Sequence, residues 1–288
     1  MKRSIRIIGA ASGLGAQDAG CGNGPVAFHH SQAWHELAHH PDVDWGRTLF
    51  ASDDQSHTPA MRIAGLCRHL ADEVGQTLLE GEFPIVLGGD HSVAVGTWSG
   101  VARHFGAPIG LLWIDAHLDS HTQETTYSGA IHGMPLSFLL GRGDKRLLEL
   151  GLPGGQLIPA HTVVFGARSF EPEEAAFLAS MQIRVIGQAE IERRGFQAAF
   201  EEALAIVVSA PMGFGVSLDL DALDPATAPG VGSPEPHGLA ASEALYCLHR
   251  LAREHRLRCL EIVEYNPDRD RQGLTARLIG ALIGEGLP

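Results

Sequence analysis

The residues whose types and spacing could carry chemistry gather at three places. The apolar run Gly110 to Ile114 stops at Asp115-Ala-His117-Leu-Asp119, followed by a Ser/Thr-rich loop that closes on Gly129-Ala-Ile-His132-Gly133. The run Gly213 to Leu218 ends at Asp219-Leu-Asp221, and Phe83 to Leu87 runs into Gly88-Gly89-Asp90-His91-Ser92. Carboxylates and imidazoles at the ends of buried strands are expensive unless they are paired or bound to metal. Alternation along an extended chain points Asp115, His117 and Asp119 to one side, and Asp219 and Asp221 likewise. With His91 these make six candidate ligands, four carboxylates and two imidazoles. Such a set is too rich in oxygen for a structural zinc site. It suits a pair of hard divalent cations such as Mn²⁺ with carboxylates bridging, although one metal could be satisfied with fewer.

The positioning elements follow from the pattern. Ile5 to Gly9 reads as a first strand, and the runs ending near Leu87, Ile114, Gly166, Leu218 and Val263 read as further buried strands. Pro25 to about His40 is expected as one helix, stopped by Pro41. Thr58 suits an N-cap ahead of Pro59, and Ile63, Leu66, Leu70, Val74 and Leu78 recur at helical spacing before Gly81. Further helices are expected at about Glu173 to Ser180, Phe196 to Val208, Ser242 to His255 and Thr275 to Leu282. Strands alternating with helices imply a three-layer α/β sandwich, a mostly parallel central sheet with helices on both faces. In such sheets ligands bind beyond the carboxyl ends of the strands, where all six candidate ligands and Glu264 fall.

Composition narrows the function classes. The 288 residues are read as a single catalytic domain, with 44% hydrophobic content and no repeat or low-complexity tract. A formal charge of −13 disfavours nucleic acid or an anionic membrane as partner and is compatible with a cationic substrate. Cys21, Cys67, Cys247 and Cys259 lack a C-x-x-C spacing and read as free thiols in a reducing compartment, which points to the cytoplasm. Arg6 interrupts the apolar run that a signal peptide would need, and no stretch approaches a membrane span.

Two motifs invite other functions. Gly9-Ala-Ala-Ser-Gly13-Leu-Gly15 follows a strand as dinucleotide fingerprints do, but the next ten residues carry three more glycines and a proline where the phosphate-binding helix should start. The Tyr-x-x-x-Lys pair of short-chain dehydrogenases is also missing, since Ile131, Arg250 and Arg269 stand four residues after the three tyrosines. His35-Glu36-Leu-Ala-His39 spells the zinc-protease motif. It lies in a His-rich segment that Pro41 ends at once, and reads as a solvated histidine cluster.

The three chemical stretches together resemble the signatures of the arginase/agmatinase (ureohydrolase) family, in the family's order: Gly88-Gly89-Asp90-His91-Ser92, Asp115-Ala-His117-Leu-Asp119, and Ser217-Leu-Asp219-Leu-Asp221-Ala-Leu-Asp224-Pro225. The resemblance reaches from the Gly-rich N-terminal loop to Glu264-Tyr-Asn266-Pro267. It implies two Mn²⁺ per chain, one held by His91, Asp115, Asp119 and Asp219, the other by Asp115, His117, Asp219 and Asp221. It further implies that Glu264 orients a guanidinium, that Asp119 carries the proton to the departing amine, and that His132 shuttles protons to solvent. A trimeric or hexameric homo-oligomer is the family's common assembly.

Within the family, Ser128-Gly129-x-x-His132-Gly133-Met134-Pro135 resembles arginases rather than agmatinases. By that resemblance Thr126 and Ser128 supply hydroxyl donors to an α-carboxylate, and Arg168-Ser-Phe-Glu171-Pro172-Glu173-Glu174 is the segment that meets the α-amino group. The chain departs from the arginase pattern at three positions, with His121 and Ala130 in place of asparagines and Glu171 in place of an aspartate. His121 is expected to donate to the carboxylate in the asparagine's stead. Hydrolysis of L-arginine to L-ornithine and urea is therefore expected. A sister guanidino acid such as 4-guanidinobutyrate is the alternative, with agmatine behind it. A non-catalytic metal scaffold would have no need of Glu264 and His132, and a mononuclear zinc deacetylase would have no need of Asp221.

Overall fold

The computed structural model describes residues 4–285. Eight strands among them form one all-parallel sheet: β1 (Ile5–Ala11), β2 (Val43–Phe50), β3 (Phe83–Gly88), β4 (Ile109–Ile114), β5 (Leu157–Phe165), β6 (Arg184–Ile186), β7 (Phe214–Asp219) and β8 (Leu257–Val263). Their spatial order is β2-β1-β3-β8-β7-β4-β5-β6. Strands β3, β4 and β7 are buried along their whole length, which is why they read as largely continuous apolar runs rather than as alternating ones.

Alternate residues of each strand feed two cores. Leu112 and Ile114 join Val216, Leu218, Leu260 and Ile262 on one face, under α1 (Gly24–His29), α2 (Gln32–Leu37), α9 (Phe196–Val208), α10 (Ala241–Leu251) and α11 (Leu274–Glu285). Leu111 and Trp113 join Val86, Val164 and Cys259 on the other, under α3 (Pro59–Leu79), α4 (Ala94–Phe105) and α7 (Pro172–Ser180). Three short helices, α5 (Pro135–Leu139), α6 (Lys145–Leu148) and α8 (Gln188–Arg194), fill the connections. The three-layer arrangement is the one expected from the alternation of elements.

The expected helix over Pro25 to His40 is two helices. Ser31 caps the second by accepting from the Trp34 N–H, and a residue in extended conformation there breaks the run. The sheet also gains β2 at one edge and β6 at the other, and α4 crosses between β3 and β4, none of which the pattern announced.

The topology positions the site. Strand β4 follows β3 in sequence but sits three places away, because β8 and β7 are inserted between them late in the chain. The crevice left where the chain changes direction is a ligand site in open parallel sheets. The contiguous ends of β3, β8, β7 and β4 carry His91, Glu264, Asp219 with Asp221, and Asp115 through Asp119.

Candidate metal centre

Each candidate ligand is aimed by the backbone just beyond its strand. Asp115 Oδ1 accepts from the His117 N–H at 2.7 Å, and Asp219 Oδ1 accepts from the Asp221 N–H at 2.9 Å. Asp90, which the sequence reading did not single out, accepts from the Ser92 and Gly15 N–H groups, tying the His91 turn to the Gly-rich loop after β1. No helix begins at Gly13 or Gly15, so that loop has no dinucleotide-binding geometry. His35 and His39 stand at and beyond the exposed end of α2, and His39 Nδ1 is bonded to the His35 carbonyl.

Carboxylate oxygens converge on two imidazoles. His91 Nδ1 lies 3.2 Å from Asp115 Oδ2, 3.0 Å from Asp119 Oδ2 and 3.1 Å from Asp219 Oδ2. His117 Nδ1 lies 3.5 Å from Asp115 Oδ1 and 3.2 Å from Asp221 Oδ2. Asp115 thus faces both histidines. Separations near 3 Å match the edge of an octahedron built on metal–ligand bonds of about 2.1 Å.

The tautomer of His91 sharpens the point. Its Nε2 lies 2.9 Å from Ser217 Oγ, and that hydroxyl donates to Glu261, which also accepts from Thr97 and Trp98. With the serine proton committed to Glu261, Nε2 of His91 is the donor to Ser217, so the neutral imidazole would turn its Nδ1 lone pair toward the three carboxylates. Nδ1 has no hydrogen-bond partner in this fully buried place. Lone pairs from four residues facing one small volume fit a cation. Without one, burial would push the imidazole toward neutrality, but the three carboxylates outweigh it and hold His91 protonated well above the ordinary imidazole value. Burial and Asp115 lift Asp119 to about 6.

Asp119 and Glu264 also share an unusual backbone. Both adopt positive φ, 46° and 65°, a region that side chains other than glycine seldom occupy and that collects at functional sites. Glu264 is buried, and its Oε1 accepts from the His91 N–H and faces His132 Nδ1, each at 2.9 Å. Burial disfavours its charge, yet the His132 contact, the Cys21 thiol and the His91 N–H hold Glu264 below the usual carboxylate range. Burial likewise opposes the His132 imidazolium, but Glu264 and the nearby aspartates raise it to about 9.

A cleft of about 160 Å³ opens over this floor, walled by His117, Asp119, Asp219 and Asp221 below and by Thr126, Ser128, His132, His121, Glu171 and Glu174 toward the mouth. Glu264 faces an adjoining cavity of about 300 Å³ that shares His132, Ser128 and Ser233 with the first. At the mouth, Thr126 Oγ1 accepts from the Gly129 N–H and Ser128 Oγ from the Ala130 N–H, and the two hydroxyls lie 3.5 Å apart, where either can donate to the other. His121, the expected carboxylate donor, stands at the same mouth. Both of its ring nitrogens are engaged within the protein, Nδ1 with Thr125 and Nε2 with Glu171, each at 3.0 Å. Glu174, at the end of the segment expected to meet the α-amino group, sits behind that pair, accepts from the Ser120 and Glu171 N–H groups, and is raised by burial to about 8. Arg168 serves a structural purpose, bonding the backbone carbonyls of Asp221, Ala222, Glu235 and Pro236 and so bracing the turn that presents Asp221.

His117, Asp119, His121, Thr126, Ser128, His132, Glu171, Asp219 and Asp221 line one cleft, with His91 and Asp115 beneath it and Glu264 in the adjoining cavity. The sequence reading missed Ser217 and Glu261 as partners of His91, although a lone glutamate inside the apolar run of β8 was the available signal. Comparison with known proteins bears on the same arrangement. An arginase from Bacillus caldovelox is 36% identical over 298 residues, covering 99% of both chains, and one from Bacillus subtilis (strain 168) is 35% identical over the full length of both. The crystal structure of the Bacillus caldovelox arginase superposes with a TM-score of 0.92 at 35% identity, covering 100% of this chain and 98% of that one. A model of the Arginase family matches residues 3–287, and with these relatives it establishes that the chain belongs to the arginase family.

Proposed function

We propose that this chain hydrolyses L-arginine to L-ornithine and urea with two bound Mn²⁺ ions. The observation that carries the reading is the convergence of Asp115, Asp119 and Asp219 oxygens on His91 Nδ1, beside a second such set at His117 and within one cleft of His132. One cation would be held by His91, Asp115, Asp119 and Asp219, the other by Asp115, His117, Asp219 and Asp221, with Asp115 and Asp219 shared. When bound, the pair lowers the pKa of a water so that hydroxide is available near neutral pH.

The protein's own groups do the rest. Glu264 accepts two N–H bonds from the planar guanidinium, the geometry for which a carboxylate and that cation are matched. Addition of hydroxide at the guanidinium carbon gives a tetrahedral species, and its C–N bond breaks only as the leaving amine takes a proton. Asp119, poised by burial, passes that proton, and His132 replaces it from solvent. The hydroxyls of Thr126 and Ser128 donate to the α-carboxylate, and Glu171 accepts from the α-ammonium. His121 acts on the substrate through Glu171 rather than by direct donation.

A second reading has a specific observation behind it. His121 Nε2 already satisfies Glu171, which favours a guanidino acid without an α-amino group, such as 4-guanidinobutyrate. Agmatine, lacking a carboxylate, would leave Thr126 and Ser128 without a partner. Four buried free thiols suit a reducing cytoplasm, and no helix among the described residues is long and apolar enough to cross a membrane. The large apolar side chains left exposed, Phe50 and Leu79 among them, suit assembly into a homo-oligomer, with a trimer or hexamer as the expected form. The test is to load the chain with Mn²⁺, determine the metal content and measure urea release. Two equivalents with urea from arginine support the proposal, whereas a single equivalent or no urea from any guanidino acid contradicts it.

A further inference from the structure

The glycine-rich segment between β1 and α1 is packed against the end of β8. A Cβ on Gly20 would stand 2.5 Å from the Asn266 side chain, and one on Gly24 would stand 2.4 Å from the Tyr265 carbonyl oxygen. The segment therefore passes within backbone distance of Glu264-Tyr265-Asn266, an approach that a side chain at either glycine would block. What it delivers there is Cys21. This residue is fully buried, with Sγ 3.0 Å from Glu264 Oε2 and 3.5 Å from the Glu264 carbonyl oxygen. From the opposite side Gly232 closes the space, since a Cβ there would lie 2.8 Å from Glu264 Oε2 and 3.0 Å from Cys21 Sγ.

The donors to Glu264 divide unequally. Oε1 faces the His91 N–H and His132 Nδ1, whereas the thiol serves Oε2. Burial and the adjacent Glu264 push the Cys21 thiol far above its ordinary pKa, so it stays protonated as a donor and is no nucleophile. The terminal torsion of a glutamate is broad, and an oxygen without a donor can rotate out of the plane that a guanidinium needs. Misplacing a carboxylate that must meet two N–H groups at once costs rate as well as affinity.

We propose that Cys21 is a positioning residue for Glu264, its S–H fixing Oε2 so that the carboxylate presents both oxygens in the plane of the guanidinium. The proposal rests on the reading of Glu264 as the guanidinium acceptor, and the test separates the two. The S–H stretching band of Cys21 is identified by infrared difference between the wild type and Cys21→Ala or Cys21→Ser, all loaded with Mn²⁺. It should lie at lower frequency than the bands of the other three thiols and move up in Glu264→Gln. In kinetics with arginine, Cys21→Ala should lose roughly three- to tenfold in kcat/KM, mainly in kcat, with metal content and melting temperature unchanged. Cys21→Ser, which keeps a donor, should recover to within about twofold of the wild type.

A thiol band that ignores Glu264→Gln overturns the proposal, as do unchanged kinetics in Cys21→Ala or a serine variant no better than the alanine one. If Cys21→Ala does not fold, the band assigned through Cys21→Ser and its response to Glu264→Gln decide alone. Full activity in Glu264→Gln would instead remove the role assigned to Glu264, while the band would still report whether the hydrogen bond exists.

Discussion

The floor of the cleft and its mouth are built on different principles. On the floor, Asp115, His117, Asp219 and Asp221 leave the ends of adjacent parallel strands, and backbone N–H groups or buried side chains fix most of their outward atoms. At the mouth, Thr126, Ser128, His121 and Glu171 lie on loops and bond mainly to one another or to their own loop backbone. The sheet dictates where the floor residues stand, while a few local contacts arrange the mouth. The reaction should therefore be hard to alter by substitution, and the choice of substrate easy.

The largest effect that could break this comparison lies on the floor. Asp221→Ala should remove one cation and lower urea release by on the order of 10³-fold, read by metal analysis beside steady-state rates. A variant that keeps both cations and its rate would show that the floor is not the chemical part. One layer out, Glu261→Gln weakens the acceptor of the Ser217 proton and so loosens the tautomer of His91. Metal affinity should fall roughly 10- to 100-fold in competition with a chelator, while rates at saturating Mn²⁺ change little. Equal loss in rate at saturating metal would make Glu261 part of the reaction itself.

Smaller effects belong to the mouth. His121→Asn frees Glu171 and should change KM for arginine by about tenfold at most, with kcat nearly constant, because it alters binding and not the reacting atoms. A collapse of kcat would erase the distinction between mouth and floor. The smallest effect is on stability. In the metal-free protein Glu264 raises His132 from 6.5 to about 9, so the folded state binds that proton more tightly than the unfolded state. The stabilisation is complete below about 6.5 and fades as pH rises through about 9. The melting temperature of the wild type should exceed that of His132→Asn by a few degrees at low pH, and the gap should close in alkali.

Legibility in the sequence followed the same division. Strands β3, β4 and β7 announced themselves because burial on both faces leaves largely apolar runs that stop at charge, and β8 did so through its apolar end before Glu264 despite the Glu261 within it. Strand β2 did not, since as an edge strand it mixes Val43 and Trp45 with Asp44, Gly46 and Arg47 and stays half exposed. Helix α4 was hidden for the opposite reason. Nine of its residues, from Ala94 to Ala102, are buried, and the small and polar Gly96, Thr97, Ser99 and Gly100 among them leave no long aliphatic stripe like that of α3. The metal-facing residues were readable because chemistry forces their types. The glycines of the loop after β1 imitate a phosphate-binding fingerprint, which the Gly- and Pro-rich residues after them already argued against, and they serve close packing against Asp90, Tyr265 and Asn266 instead. Cys21 was unreadable, since its partner lies 243 positions away and a lone cysteine in a loop carries no spacing.

The central claim is tested most directly by kcat/KM for urea release from arginine, 4-guanidinobutyrate and agmatine, measured side by side on the chain loaded with Mn²⁺. Arginine should be the best of the three and agmatine the poorest, since only arginine engages the hydroxyls of Thr126 and Ser128 together with Glu171. A higher kcat/KM for 4-guanidinobutyrate than for arginine would contradict the assignment and leave His121 as the residue that closed the ammonium subsite.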